Sequence, residues 1–150
     1  MIDTNKTVKV LVIGLGSIAL RHRKNLKSLF SNVEIVAVPA RGKILDQNID
    51  YADKVVLSIE EAIQIGIDLA IIASPATLHL KNAKQLIYAG IPSLIEKPVT
   101  SNYNEIKELI TIQQKTKIAV CVGYCIRYMP SAIKMKNILE ENILGTIYNV

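Results

Sequence analysis

Short apolar runs alternate along the chain with segments whose apolar residues recur at helical spacing, and this alternation constrains the fold more than any other feature. A strand that reads as an unbroken apolar run is buried on both faces, as happens when helices cover both sides of a parallel sheet. The runs predict strands at 8–13, 34–38, 54–57, 69–73, 93–95 and 118–122, and helices at 17–29, 59–65, 75–89, 103–115 and 130–141. Local chemistry agrees. Ser58 with Glu61 and Asn102 with Glu105 have cap-plus-acid spacing, Ser74 precedes a proline suited to a first helical position, and Gly66, Gly90 and Gly145 stand where helices stop. Residues 41–51 read as an irregular crossover, and the final "GTIYNV" reads as the start of a further strand. The expected fold class is α/β: a doubly wound, mainly parallel sheet in the order 3-2-1-4-5-6, with helices on both faces.

With 150 residues, half of them apolar, one domain with a real core is expected rather than disorder. Residues 1–30 carry Lys6, Lys9, Arg21, Arg23, Lys24 and Lys27 against Asp3 alone, while the rest of the chain is balanced. The net charge of +5 is therefore expected around the glycine turn at residues 14–16 and the segment after it, where a phosphate could be held. Nucleic acid is not expected, since one Phe and no Trp leave no aromatic interleaving for a basic stripe. No run reaches the roughly 18 apolar residues needed to span a bilayer. Lys6 and Lys9 before an apolar stretch suggest a secretory leader, but no small-x-small cleavage site follows and the stretch ends in Arg21-His22-Arg23. Cys121 and Cys125 suit neither zinc spacing nor a disulfide framework, so no metal is expected and they read as reduced thiols of a cytoplasmic protein.

The stretch "VLVIGLGSIALRH" sets Gly14-x-Gly16-x-x-Ala19 between a strand and a helix. In that context Gly14 permits a tight turn, Gly16 lets backbone approach a pyrophosphate, and Ala19 allows close packing of helix on strand. The amides of Ser17 and Ile18 then point at phosphate oxygens. A plain βα turn in another doubly wound protein has the same spacing. The second strand ends in "VAVPARGK", with no acid to accept the ribose hydroxyls of NAD and with Arg41 in the neighbourhood. An arginine there can pair with a ribose 2′-phosphate, which favours NADP over NAD; a solvated loop arginine is the alternative.

Three further stretches, "ASPATLHLKNA", "AGIPSLIEKPV" and "VGYCIRYMPSAIKMKNIL", follow in order behind the glycine turn. With them, nearly the whole chain resembles the nucleotide-binding domain of the glucose-fructose oxidoreductase and inositol dehydrogenase family, Gfo/Idh/MocA, with Glu96-Lys97-Pro98 as the most specific element. The resemblance implies a Rossmann-type domain over 1–150, its core at about 1–123, with 124–150 beginning the connection to a second, substrate-binding domain. It implies the cofactor-binding half of an NAD(P)-dependent oxidoreductase acting on a hydroxyl or keto carbon of a sugar, cyclitol or sugar derivative. The complete protein is then a homo-oligomer that binds neither nucleic acid nor membrane, and the 150-residue chain alone is inactive. A dinucleotide-binding sensor or scaffold without turnover is the alternative. A nucleoside-binding or methyltransferase relative is disfavoured, because it predicts an acid after the second strand and has no use for Glu96-Lys97-Pro98.

Hydride leaves a carbinol carbon readily only if the hydroxyl proton leaves too, so a cation that stabilises developing alkoxide charge lowers the barrier. Lys97 is the expected catalytic residue and also a substrate contact. Glu96 is expected on the cofactor, since adjacent strand residues face opposite sides and a Glu96–Lys97 pair is not favoured. Ser74 and Pro75 are expected to line the nicotinamide side while starting a helix. His79 reads either as a contact to ribose or substrate or as a surface histidine. Tyr124 and Arg127 are candidate substrate contacts, with Arg127 suited to a carboxylate or phosphate and, alternatively, to bridging domains; Tyr128 reads as packing. His22 reads as solvated among Arg21, Arg23 and Lys24.

Overall fold

The computed structural model describes residues 6–42 and 48–149. Parallel strands β1 (Val8–Ile13), β2 (Val33–Val38), β3 (Lys54–Val55), β4 (Leu69–Ile72), β5 (Ser93–Ile95) and β6 (Val120–Val122) form one sheet in the order β3-β2-β1-β4-β5-β6. The helices are α1 (Ser17–Leu29), α2 (Ile59–Ile65), α3 (His79–Tyr88), α4 (Tyr103–Thr116) and α5 (Pro130–Glu140). Because side chains alternate across a strand, β1 divides its apolar run between two cores. Leu11 and Ile13 join Val36, Ile72 and Ile95 under α2, α3 and α4. Val10 and Val12 join Ile35 and Ile71 under α1, whose Ala19 is fully buried.

Two of the expected caps form. Ser58 Oγ accepts from the Glu61 amide at 3.2 Å and Asn102 Oδ1 accepts from the Asn104 amide at 2.9 Å. Gly66, Gly90 and Gly145 all have positive φ, where glycine alone escapes a Cβ penalty.

The differences have physical causes. The edge strands β3 and β6 are shorter than their apolar runs, since each has a partner on one side only. The helix expected from residue 75 begins at His79, after a 3₁₀ turn at Ala76–Leu78. Pro75 has an extended ψ of 142°, and the Ser74 hydroxyl accepts from Asn82 Nδ2 at 3.0 Å instead of capping. Residues 146–149 form no strand. Of the expected irregular crossover, residues 43–47 lie outside the described residues.

The expected concentration of charge at the glycine turn is corrected. Lys9 bonds the carbonyl of Ile65, Lys6 lies near Asp68, and Lys27 reaches Asp53 and the Val33 carbonyl, all at the opposite, amino-terminal end of the sheet. Arg23 is buried. A count of charge along the sequence does not see that β1 and α1 each run the full depth of the domain.

Candidate dinucleotide site

The strand order reverses at β1, which has β2 on one side and β4 on the other, and the carboxyl end of such a switch point is where open α/β sheets bind ligands. Gly14 donates to the Val38 carbonyl at 2.8 Å, and its φ is +113°. A Cβ on Gly14 would stand 2.5 Å from the carbonyl oxygen of Ala73. No side chain fits where three strand ends meet. A Cβ on Gly16, in contrast, would meet nothing within 4 Å, so Gly16 is open towards solvent and not held by protein packing.

Gly16 is also the N-cap of α1, with no capping side chain and no acid in the helix's first turn. Helices α2 and α4 satisfy their first amides with Ser58 and Asn102 and carry acids beside them. The first amides of α1, those of Ser17 and Ile18 among them, therefore remain available to an anion from outside the chain. Beside this turn lies a cavity of about 440 Å³ between the ends of β1 and β2 and the start of α3, lined among others by Ile13, Val38, Arg41, Pro75 and Lys81. An exposed Arg41 and Lys81 in the lining, an open Gly16 and uncapped helix amides fit a phosphate-bearing dinucleotide. Glu60 lines the same cavity, and its carboxylate accepts from Gln85 Nε2.

Two residues of the basic stretch on α1, Arg23 and His22, are structural parts of the site. Arg23 is 2% exposed; its Nε donates to the Asp50 carbonyl at 2.8 Å and a terminal nitrogen donates to the Gly14 carbonyl at 3.3 Å. Burial pushes the guanidinium below its ordinary range, against the attraction of Asp50. The expectation of a solvated His22 is also corrected: its Nε2 lies 2.8 Å from Glu96 Oε1. Ala19, Arg23 and Leu26 fall on one helical stripe, and that spacing was the signal that Arg23 faces the sheet.

The other candidates divide into two groups. Glu96 follows β5, and besides His22 its second oxygen accepts from the Lys97 amide at 3.2 Å. Lys97 itself is exposed and leads into a cis bond to Pro98. Tyr124 and Arg127 are exposed beyond the carboxyl end of β6 and lie on the same edge as Lys97. His79 does not reach the cleft. It is 1% exposed, with Nε2 2.7 Å from the Ser74 carbonyl and Nδ1 3.0 Å from that of Pro98, so its polar atoms serve two loops. Ser74 is buried and directed at Asn82, which leaves the exposed Pro75 as the member of that pair on the cavity wall.

Residues 8–124 match the family described as "Oxidoreductase family, NAD-binding Rossmann fold", Gfo/Idh/MocA. The chain belongs to this family. Inositol 2-dehydrogenase 1 of Saccharopolyspora erythraea is 30% identical over 149 residues, covering 93% of this chain and 43% of that protein. Scyllo-inositol dehydrogenase from Lactobacillus casei, solved with bound cofactor NAD(H) and scyllo-inositol, superposes with a TM-score of 0.82 at 20% identity, over 95% of this chain and 43% of the other. The WlbA dehydrogenase from Chromobactrium violaceum, in complex with NADH and UDP-GlcNAcA, gives 0.81 at 19% identity, over 99% and 43%. This Gfo/Idh/MocA chain thus spans less than half the length of these proteins, and it shares its fold with the two solved structures. Among the described residues no helix is long and apolar enough to cross a membrane, and no cluster of three His, Cys, Asp or Glu residues could hold a metal ion.

Proposed function

We propose that this chain is the cofactor-binding half of an NAD(P)-dependent dehydrogenase or reductase that transfers hydride to or from a hydroxyl or keto carbon of a sugar, cyclitol or sugar derivative. The observation that carries the reading is the uncapped, acid-free start of α1 behind Gly14 and Gly16, opening beside the Arg41-lined cavity. The family relation and the inositol and nucleotide-sugar dehydrogenases among its relatives support the substrate class. Residues 1–123 act as the core, and 124–150 lead towards a substrate domain in a cytoplasmic homo-oligomer.

A bound nicotinamide dinucleotide supplies the hydride acceptor or donor. The chain's own residues do the rest. The Ser17 and Ile18 amides hold the pyrophosphate, and Gly16 lets the backbone approach it. Arg41 pairs with a ribose 2′-phosphate, which makes NADP the preferred cofactor over the NAD seen in the solved neighbours. Lys97, exposed on the same edge, stabilises negative charge on the substrate oxygen as its proton leaves, and Tyr124 and Arg127 orient the substrate.

Calorimetric titration of NADPH and NADH into the wild-type chain and Arg41→Ala tests this reading. NADPH is expected to bind more tightly to the wild type, and the variant to lose about ten- to a hundredfold in NADPH affinity, the worth of one charge-assisted pair. Equal affinities, or an unchanged preference in the variant, remove Arg41 and NADP from the account.

A further inference from the structure

Lys97 has a neighbour on each side that is held by a buried or half-buried histidine, and the two histidines come from opposite faces of the sheet. Helix α1 packs on the Val10, Val12 and Ile35 face, and its His22 holds Glu96 at 2.8 Å. Helix α3 packs on the Leu11, Ile13 and Ile72 face, and its His79 lies 3.0 Å from the Pro98 carbonyl and 3.2 Å from that of Val99. The glutamate is confined further. A Cβ on Gly123, at the end of β6, would stand 3.1 Å from Glu96 Oε1, so the side-chain-free position is what leaves room for the carboxylate.

The geometry points to His22 and His79 as positioning residues that clamp the Glu96-Lys97-Pro98 loop from both sides of the sheet and so fix where Lys97 leaves it. Glu96 is the transmitting member: one oxygen takes the His22 hydrogen bond and the other accepts the Lys97 amide, so the state of the imidazole contact reaches the Lys97 backbone through a single planar group. His79 stands at the other end with one ring nitrogen facing the Pro98 carbonyl and the other the Ser74 carbonyl at 2.7 Å; carbonyls only accept, so each N–H the ring carries donates to one of them, and the buried ring spans the loops after β4 and β5. A loop bonded on one flank alone could still pivot about that flank. Bonded on both, it has one position, and a charged side chain gains most when its geometry is fixed before the substrate arrives. Gly123 thereby acquires a role that its ordinary φ does not require.

The inference rests on the proposed function only for what Lys97 is positioned to do, and its test needs no cofactor. Solvent exchange at the Lys97 amide is measured by NMR on the 150-residue chain. His22→Leu is expected to speed exchange about tenfold, the scale of losing one hydrogen bond's restraint. His22→Gln, whose amide nitrogen can donate from near the position of Nε2, is expected to stay close to wild type. Gly123→Ala is expected to resemble His22→Leu although it removes no hydrogen-bonding group. A histidine that merely added stability would lower Tm in His22→Leu and leave Lys97 exchange unchanged, and that result overturns the clamp. A His22→Gln chain as fast as His22→Leu, or a Gly123→Ala chain like wild type, also counts against it. Because the cofactor is absent, failed NADPH binding leaves the test intact and falls on the proposed function instead.

Discussion

The Arg23 guanidinium reaches back along α1 to the carbonyl of Gly14 at 3.3 Å, so the first helix braces the turn that its own N-terminus completes. A buried arginine bonded to two carbonyls leaves both acceptors bare when it is removed. Arg23→Leu should therefore destabilise the chain by about 3 kcal/mol in urea unfolding. A loss under about 0.5 kcal/mol, the range of an ordinary surface change, would show that the brace carries no weight.

Gly14 and Gly16 should fail in different ways. Gly14→Ala puts a Cβ against the Ala73 carbonyl at a positive φ, and is expected to cost roughly 2–4 kcal/mol of stability. Gly16→Ala meets open space in the chain itself and should keep its unfolding midpoint, while NADPH affinity falls about tenfold or more because the new methyl stands where phosphate would approach. Urea titration and calorimetry on the two variants separate the effects; equal losses of stability would contradict the assignment.

The Asp53 carboxylate accepts from Lys27 Nζ at 2.6 Å and from the Ile35 amide at 2.7 Å. Burial opposes its ionisation, but the Lys27 ammonium and the Ile35 amide outweigh this and hold the carboxyl below its usual range. A folded-state value lower than the unfolded one means that the stabilisation is complete above the unfolded value of about 3.9, and is lost as pH falls through the folded value. Since the side chain is 42% exposed, solvent screening keeps the gain small, at most about 1 kcal/mol. Urea midpoints of wild type and Asp53→Asn should differ above about pH 5 and converge in acid. A difference that stays constant down to the acid limit would assign the effect to packing.

On the proposed function, Lys97→Ala in the complete protein should lower kcat by about 10²–10³ with little change in cofactor affinity, the pattern of a group that acts mainly in the transition state. Steady-state kinetics with a separate binding measurement decide this. A normal kcat would reduce Glu96-Lys97-Pro98 to a structural turn.

The alternation of apolar runs made the sheet, its order and α1, α2, α4 and α5 legible, because strand burial, helical spacing and, for α2 and α4, local caps are written in nearby residues. Pro75 misled for a local reason: a proline behind a serine suits a helix start, but Asn82 claims the serine hydroxyl from eight residues away. Helical spacing puts Arg23 on the sheet-facing stripe of α1, but the hydrogen bonds of Arg23, His22 and His79 depend on partners such as Gly14, Glu96 and Pro98 that only folding brings close. Gly123 shows the same limit, since its φ is ordinary and only the Glu96 carboxylate beside it explains the missing side chain.

The most direct test of the central claim is an NMR titration of the isotope-labelled chain with NADPH, read residue by residue. The account predicts saturable shifts at the amides of Gly16, Ser17, Ile18 and Arg41, extending to Lys97 on the same edge of the sheet. Absence of saturable shifts, or shifts confined to the apolar groove around Leu26, Leu29 and Phe30 at the other end of β1, would contradict it.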